Sequence, residues 1–175
     1  MIGRASQLSL AAHLQSTKPP WTVLLVLKEG RHAESAVKVP DGFLLKVVRG
    51  RKCRNTAGLL AELAEVLEFP DYFGHNWDAL EECLADLEWL PAKGYVLVFT
   101  DADLILPEDE DEFATFVEVL NDAGEAWAGG DAGKRAKPFH VALTVSERNK
   151  SKRAHWEVPQ VTASPAQPSR RKGKG

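Results

Sequence analysis

Apolar residues along this chain fall into two alternating patterns: short continuous runs, and longer stripes that recur every three or four positions. Residues 21–27, 42–50, 95–100 and 138–145 are runs rich in Val, Leu and aromatic residues, set off by glycine, proline or aspartate, and they predict strands. The second is almost uninterrupted, as expected of a strand buried on both faces. A helix capped by Asn55 or Thr56 is expected through Leu67, with Leu59, Leu60, Leu63, Ala64, Val66 and Leu67 inside. A second opens at Asn76. A third starts near Pro107 and runs through Phe113, Phe116, Leu120 and Trp127 to the Gly129-Gly130 stop. Residues 5–15 form a short helix with a modest apolar side, ended by Pro19-Pro20. Residues 31–38 are ambiguous, with a short strand at 36–39 one reading. Strands alternating with helices imply right-handed βαβ units, hence an α/β fold with a largely parallel sheet.

Beyond Arg148 the periodicity vanishes among prolines, serines and basic residues, so 148–175 reads as a disordered basic tail. Charge sharpens this division. Residues 59–131 hold 20 Asp and Glu against the single base Lys93, a net −19, whereas residues 147–175 carry +6. An acidic body of this kind favours a cationic partner and repels nucleic acid, leaving the tail as the one candidate for phosphate contacts. With 44% hydrophobic residues, no long apolar span and no signal-peptide pattern at the start, the chain is expected to be cytoplasmic, with no membrane association. Cys53 and Cys83 make no disulfide framework and are expected to be reduced thiols.

The most informative stretch is residues 69–87. Its first half is a loop punctuated by Pro70 and Gly74 that displays two aromatic residues, Tyr72 and Phe73. Asn76 is a suitable N-cap, and Trp77, Leu80, Cys83, Leu84 and Leu87 form a core-facing stripe. Asp78, Glu82 and Asp86 follow at helical spacing on another side, beside Glu81. Only Asp78 gains from the helix dipole, and like charges four apart cost roughly 0.2–0.5 kcal/mol a pair. Aromatic anchors ringed by charge have the composition of a binding hot spot, and a carboxylate row can replace phosphates before an Arg/Lys-lined site.

Catalytic chemistry finds less support. The five histidines are scattered, with no metal-ligand spacing, nucleophile motif or glycine-rich phosphate loop. His75 near Asp78 reads as a surface loop histidine. Asp101 and Asp103, followed by residues 108–112, lack the glycine and spacing of a calcium loop; they read as a strand end and a dipole-matched helix start. No catalytic residue, metal or cofactor is expected.

Residues 67–80, Leu-Glu-Phe-Pro-Asp-Tyr-Phe-Gly-His-Asn-Trp-Asp-Ala-Leu, resemble the signature of the barstar family, intracellular inhibitors of ribonucleases. The likeness extends over about residues 42–147, which implies a barstar-like domain with a small parallel sheet of about three strands flanked by helices. Residues 1–41 would then be an N-terminal helix and strand extension, and 148–175 the tail. The resemblance implies that Tyr72, Asn76, Asp78 and Glu82 contact the target, with Asp122 a further acidic contact. Glu82 stands where the family has its central phosphate-mimicking aspartate, and Glu81 where it often has tryptophan. Phe73 lacks the hydroxyl of a second tyrosine. The expected partner-binding set is Tyr72, Phe73, Gly74, Asn76, Trp77, Asp78, Glu81, Glu82 and Asp122. The expected partner is a basic ribonuclease or nuclease toxin, bound by a monomer as a 1:1 heterodimer. The alternative is a nucleic-acid-associated protein acting through its tail.

Overall fold

The apolar runs come together as one sheet, seen in a computed structural model that describes residues 9–130, 135–153 and 156–162. Strands β1 (Thr22–Leu27), β2 (Phe43–Arg49), β3 (Gly94–Thr100), β4 (Phe139–Ser146) and β5 (Gln160–Thr162) lie in the order β2-β3-β4-β1-β5. Every neighbouring pair is parallel. Helices α1 (Leu10–Leu14) and α2 (Ala33–Ala36) cover one face. Helices α3 (Thr56–Val66), α4 (Trp77–Asp86) and α5 (Glu110–Gly129) cover the other.

Alternation along the strands assigns their side chains to these two layers. Leu97, Phe99, Val141 and Leu143 join Leu59, Leu63, Leu80, Leu84, Phe116 and Leu120 under the three long helices. Val96, Val98 and Ala142 turn the other way, to meet Leu10, Leu14 and Val37. Both faces of the sheet are therefore dry, which is why its strands read as continuous apolar runs rather than alternating ones.

The sheet has five strands, not about three. Strand β1 is an inner strand between β4 and β5: Leu24 faces the long helices while Val23, Leu25 and Leu27 face α1 and α2. The segment before β1 is fastened on both sides. Rings of His13 and His140 lie 4.6 Å apart, and their Nε2 atoms reach the carbonyls of Pro20 and Ser16 at 2.7 Å. Burial holds the His140 pKa below its usual value. Trp21 presses on Gly124 of α5, where a Cβ would lie 2.5 Å from the indole ring. Residues 36–39 form no strand; α2 ends at Ala36 and the chain runs on irregularly.

The tail also departs from expectation in part. Residues Lys150–Arg153 make a 3-10 turn, Trp156 stacks on Phe113 at 4.1 Å, and β5 pairs with β1. A three-residue edge strand of Gln, Val and Thr is too short and too polar to leave a periodic trace. The basic run at 170–174 lies outside the described residues.

One buried charge is satisfied locally. Glu62 of α3 accepts bonds from the Arg49 side chain at 2.8 and 3.2 Å and from its backbone N–H at 3.3 Å. Burial opposes ionisation of Glu62, but these bonds outweigh it and hold its pKa below the usual carboxylate value. Both cysteines are buried and free. Burial pushes the Cys53 thiol up to about 12 and raises that of Cys83, so neither is a ready nucleophile. Among the described residues no helix is long and apolar enough to cross a membrane.

Candidate partner-docking surface

The loop between α3 and α4 is held in shape by its own sequence. Helix α3 ends with Glu68 in the left-handed region at φ 53°, the Glu68 N–H reaching the Glu65 carbonyl and the Phe69 N–H the Ala64 carbonyl. This double closure is a Schellman motif. Phe73 N–H then donates to the Pro70 carbonyl at 2.9 Å, closing a tight turn at residues 70–73. Inside the loop, Phe69 packs on Phe73 at 4.8 Å and on Trp89 at 6.1 Å, and Phe73 packs on His75 at 4.7 Å. The Trp89 indole donates to the Leu67 carbonyl at 2.8 Å.

The expected pair of displayed aromatics is thus divided. Tyr72 is 75% exposed and is the one exposed large hydrophobic side chain among the described residues. Phe73 is buried at 6% and belongs to the core, so it is a support for the loop and not an exposed anchor. A side chain carrying no hydroxyl suits that place, because a buried phenol would need a partner.

At the start of α4, His75 takes the left-handed conformation at φ 51° and Asn76 caps the helix, its Oδ1 accepting the Ala79 N–H at 2.8 Å. The Asn76 amide also donates to the Gly74 carbonyl at 3.3 Å, and a Cβ on Gly74 would crowd that amide at 3.2 Å. Cap and glycine together fix how the loop enters the helix. Leu80, Cys83, Leu84 and Leu87 are buried, as their spacing predicts. Asp78, Glu81 and Glu82 point to solvent, and among the described residues none of them forms an ion pair.

Trp77 is half-buried, and its indole N–H is committed inward, to Glu112 at 2.9 Å. The same carboxylate oxygen accepts the Thr56 hydroxyl at 2.8 Å. Thr56 and Trp77 are the first residues of α3 and α4, and Glu112 sits in the first turn of α5. Three helix N-termini therefore converge on one carboxylate, where their dipoles and two charge-assisted bonds all favour its negative charge. Sequence reasoning placed Glu112 in a dipole-matched first turn but missed this tie. Its two donors, Trp77 and Thr56, lie 35 and 56 residues before it, beyond any local pattern.

Asp122 is exposed on α5 and lines a groove of about 470 Å³ with Phe113, Trp156 and Val158. Asp103 is buried and pairs with Lys152 at 3.7 Å, so this half of the Asp101/Asp103 pair serves the fold. Among the described residues no group of three or more His, Cys, Asp or Glu could hold a metal ion.

Comparison with known proteins bears on this surface. A family described as Barstar (barnase inhibitor) matches residues 43–144, which contain the loop, α4 and α5. A Bacillus subtilis (strain 168) protein named "Putative ribonuclease inhibitor YrdF" is 33% identical over 79 residues, covering 45% of this chain and 84% of that protein.

Proposed function

Because the chain belongs to the barstar family, we propose that it is an intracellular inhibitor that occludes the active site of a ribonuclease with its loop and α4. The coarser role, a non-enzymatic ribonuclease inhibitor, follows from the family and from its relative's name. What supports the finer reading is one observation: Tyr72, the exposed aromatic, stands on the loop that leads directly into α4, the helix that carries the exposed carboxylates of Asp78, Glu81 and Glu82. An aromatic anchor within a charged rim is the arrangement of an interface hot spot.

In this mechanism Tyr72 docks against the ribonuclease, and Gly74 and Asn76 hold the approach of the loop. Asp78 and Glu82, one helical turn apart, take the places of RNA phosphates, with Glu81 at their side. Asp122 adds a contact from α5. Phe73 and Trp77 act from behind, fixing the loop and the first turn of α4. The partner is a basic ribonuclease or nuclease toxin, held 1:1. Residues 42–147 supply the binding body, and β1 and β5 extend its sheet.

Because no ion pair among the described residues neutralises Asp78, Glu81 or Glu82, association is electrostatically steered. In stopped-flow mixing with the purified cognate ribonuclease, the association rate is expected to fall about tenfold or more between low and high salt. RNA cleavage should cease at one equivalent of inhibitor. A salt-independent association rate, or cleavage persisting at excess inhibitor, contradicts the proposal.

A further inference from the structure

At the carboxyl ends of β1, β2, β3 and β4 lies a cavity of about 720 Å³, well away in sequence from the loop and α4. Its volume is that of a small-molecule site. Its position is also the usual one, since ligands of parallel α/β sheets bind outside the carboxyl ends of the strands, where connections leave on opposite faces. Here β1 leads to α2 on one face, while neighbouring β4 leads to Trp156 and Val158 on the other.

The lining carries five bases, Lys28, Arg31, Arg49, Arg51 and Arg148, against three acids, Glu29, Glu34 and Asp101, an excess of positive charge on an otherwise acidic body. Two of its bases are already engaged, Arg49 with Glu62 and Arg148 with Glu29. Lys28, Arg31 and Arg51 remain, and among the described residues they form no ion pair. Between the first two, Gly30 turns the chain at φ 76°, and no atom lies within 4 Å of where its Cβ would be, so the backbone there is open to a ligand. Two thirds of the wall, residues 27–34, 145–146 and 148–149, lies outside the segment matched to the family. The parts of the chain that complete the sheet thus also build the cavity.

We propose that this cavity binds a small phosphorylated ligand of mononucleotide size. Its phosphate is held by Arg31 and Arg51 with Lys28 beside them, and its remainder lies against the apolar ends of the strands at Leu27, Val47 and Val145. The site is independent of the ribonuclease-binding surface.

Adenosine 5′-monophosphate, adenosine and inorganic phosphate are the probes, titrated into the full chain by calorimetry at low ionic strength. The monophosphate should bind more tightly than phosphate, and adenosine should give no heat. The double variant Arg31→Ala/Arg51→Ala should weaken monophosphate binding by at least about tenfold. Among the described residues neither side chain makes a hydrogen bond or ion pair, so the fold should survive their removal, and Arg51→Glu provides a second variant with the same expected loss. Amide resonances of Gly30 and Arg51 should shift on titration. Glu82→Ala should leave monophosphate binding unchanged, which separates this site from the inhibitory surface. No binding at millimolar monophosphate, equal affinity for phosphate alone, or unchanged affinity in the arginine variants overturns the proposal.

Discussion

Glu82→Ala is expected to weaken the ribonuclease complex by about 30-fold or more, the loss that follows when one member of a buried, hydrogen-bonded charge pair is truncated. Glu82 lies one turn after Asp78, on a helix whose start is set by the Asn76 cap and whose other side is locked by Leu80, Cys83 and Leu84. Its carboxylate is thus presented from a rigid base, and little ordering is left for binding to complete. Glutamate carries its charge about 1 Å further from the backbone than aspartate, so the target pocket should be correspondingly deeper. Glu108 is the matched control. It is exposed and acidic too, but it precedes the Asp109 cap of α5, so its removal should cost at most about fivefold, as for a peripheral surface charge. Calorimetric titration of both variants against the cognate ribonuclease checks this. Equal, small effects would show that overall charge, and not a plug, accounts for binding.

Glu112→Ala should destabilise the fold by about 1–3 kcal/mol, because it leaves the Trp77 indole and the Thr56 hydroxyl without their acceptor. The loss has a second consequence. Trp77 opens α4, so releasing it loosens the turn that carries Asp78 while touching no residue of the docking face. Affinity for the ribonuclease should therefore fall together with the urea midpoint. Glu112→Gln keeps an acceptor in place and should lose less of both. Parent-like stability in Glu112→Ala would mean that water replaces the carboxylate at no cost and that the three helix starts are held by packing alone.

Local signals were the ones legible in the sequence. Asn55 and Asn76 cap their helices as expected, because a cap needs only a donor three residues away. The stripe of Leu80, Cys83 and Leu84 is buried for an equally local reason. What the sequence hid depends on partners far along the chain. Strand β1 is an inner strand because β5, some 130 residues later, covers its free edge, and β5 is too short to announce itself. Phe73 and Tyr72 are adjacent and alike in composition, yet the turn at residues 70–73 sends one ring inward to Phe69 and leaves the other in solvent. His13 and His140 looked scattered, and the fold makes them neighbours.

Occlusion makes one direct demand, which is that inhibitor and substrate exclude each other. A non-cleavable dinucleotide bound at the ribonuclease active site should raise the apparent Kd of the complex in proportion to its concentration, up to complete displacement. A stable ternary complex of ribonuclease, dinucleotide and inhibitor would contradict the account.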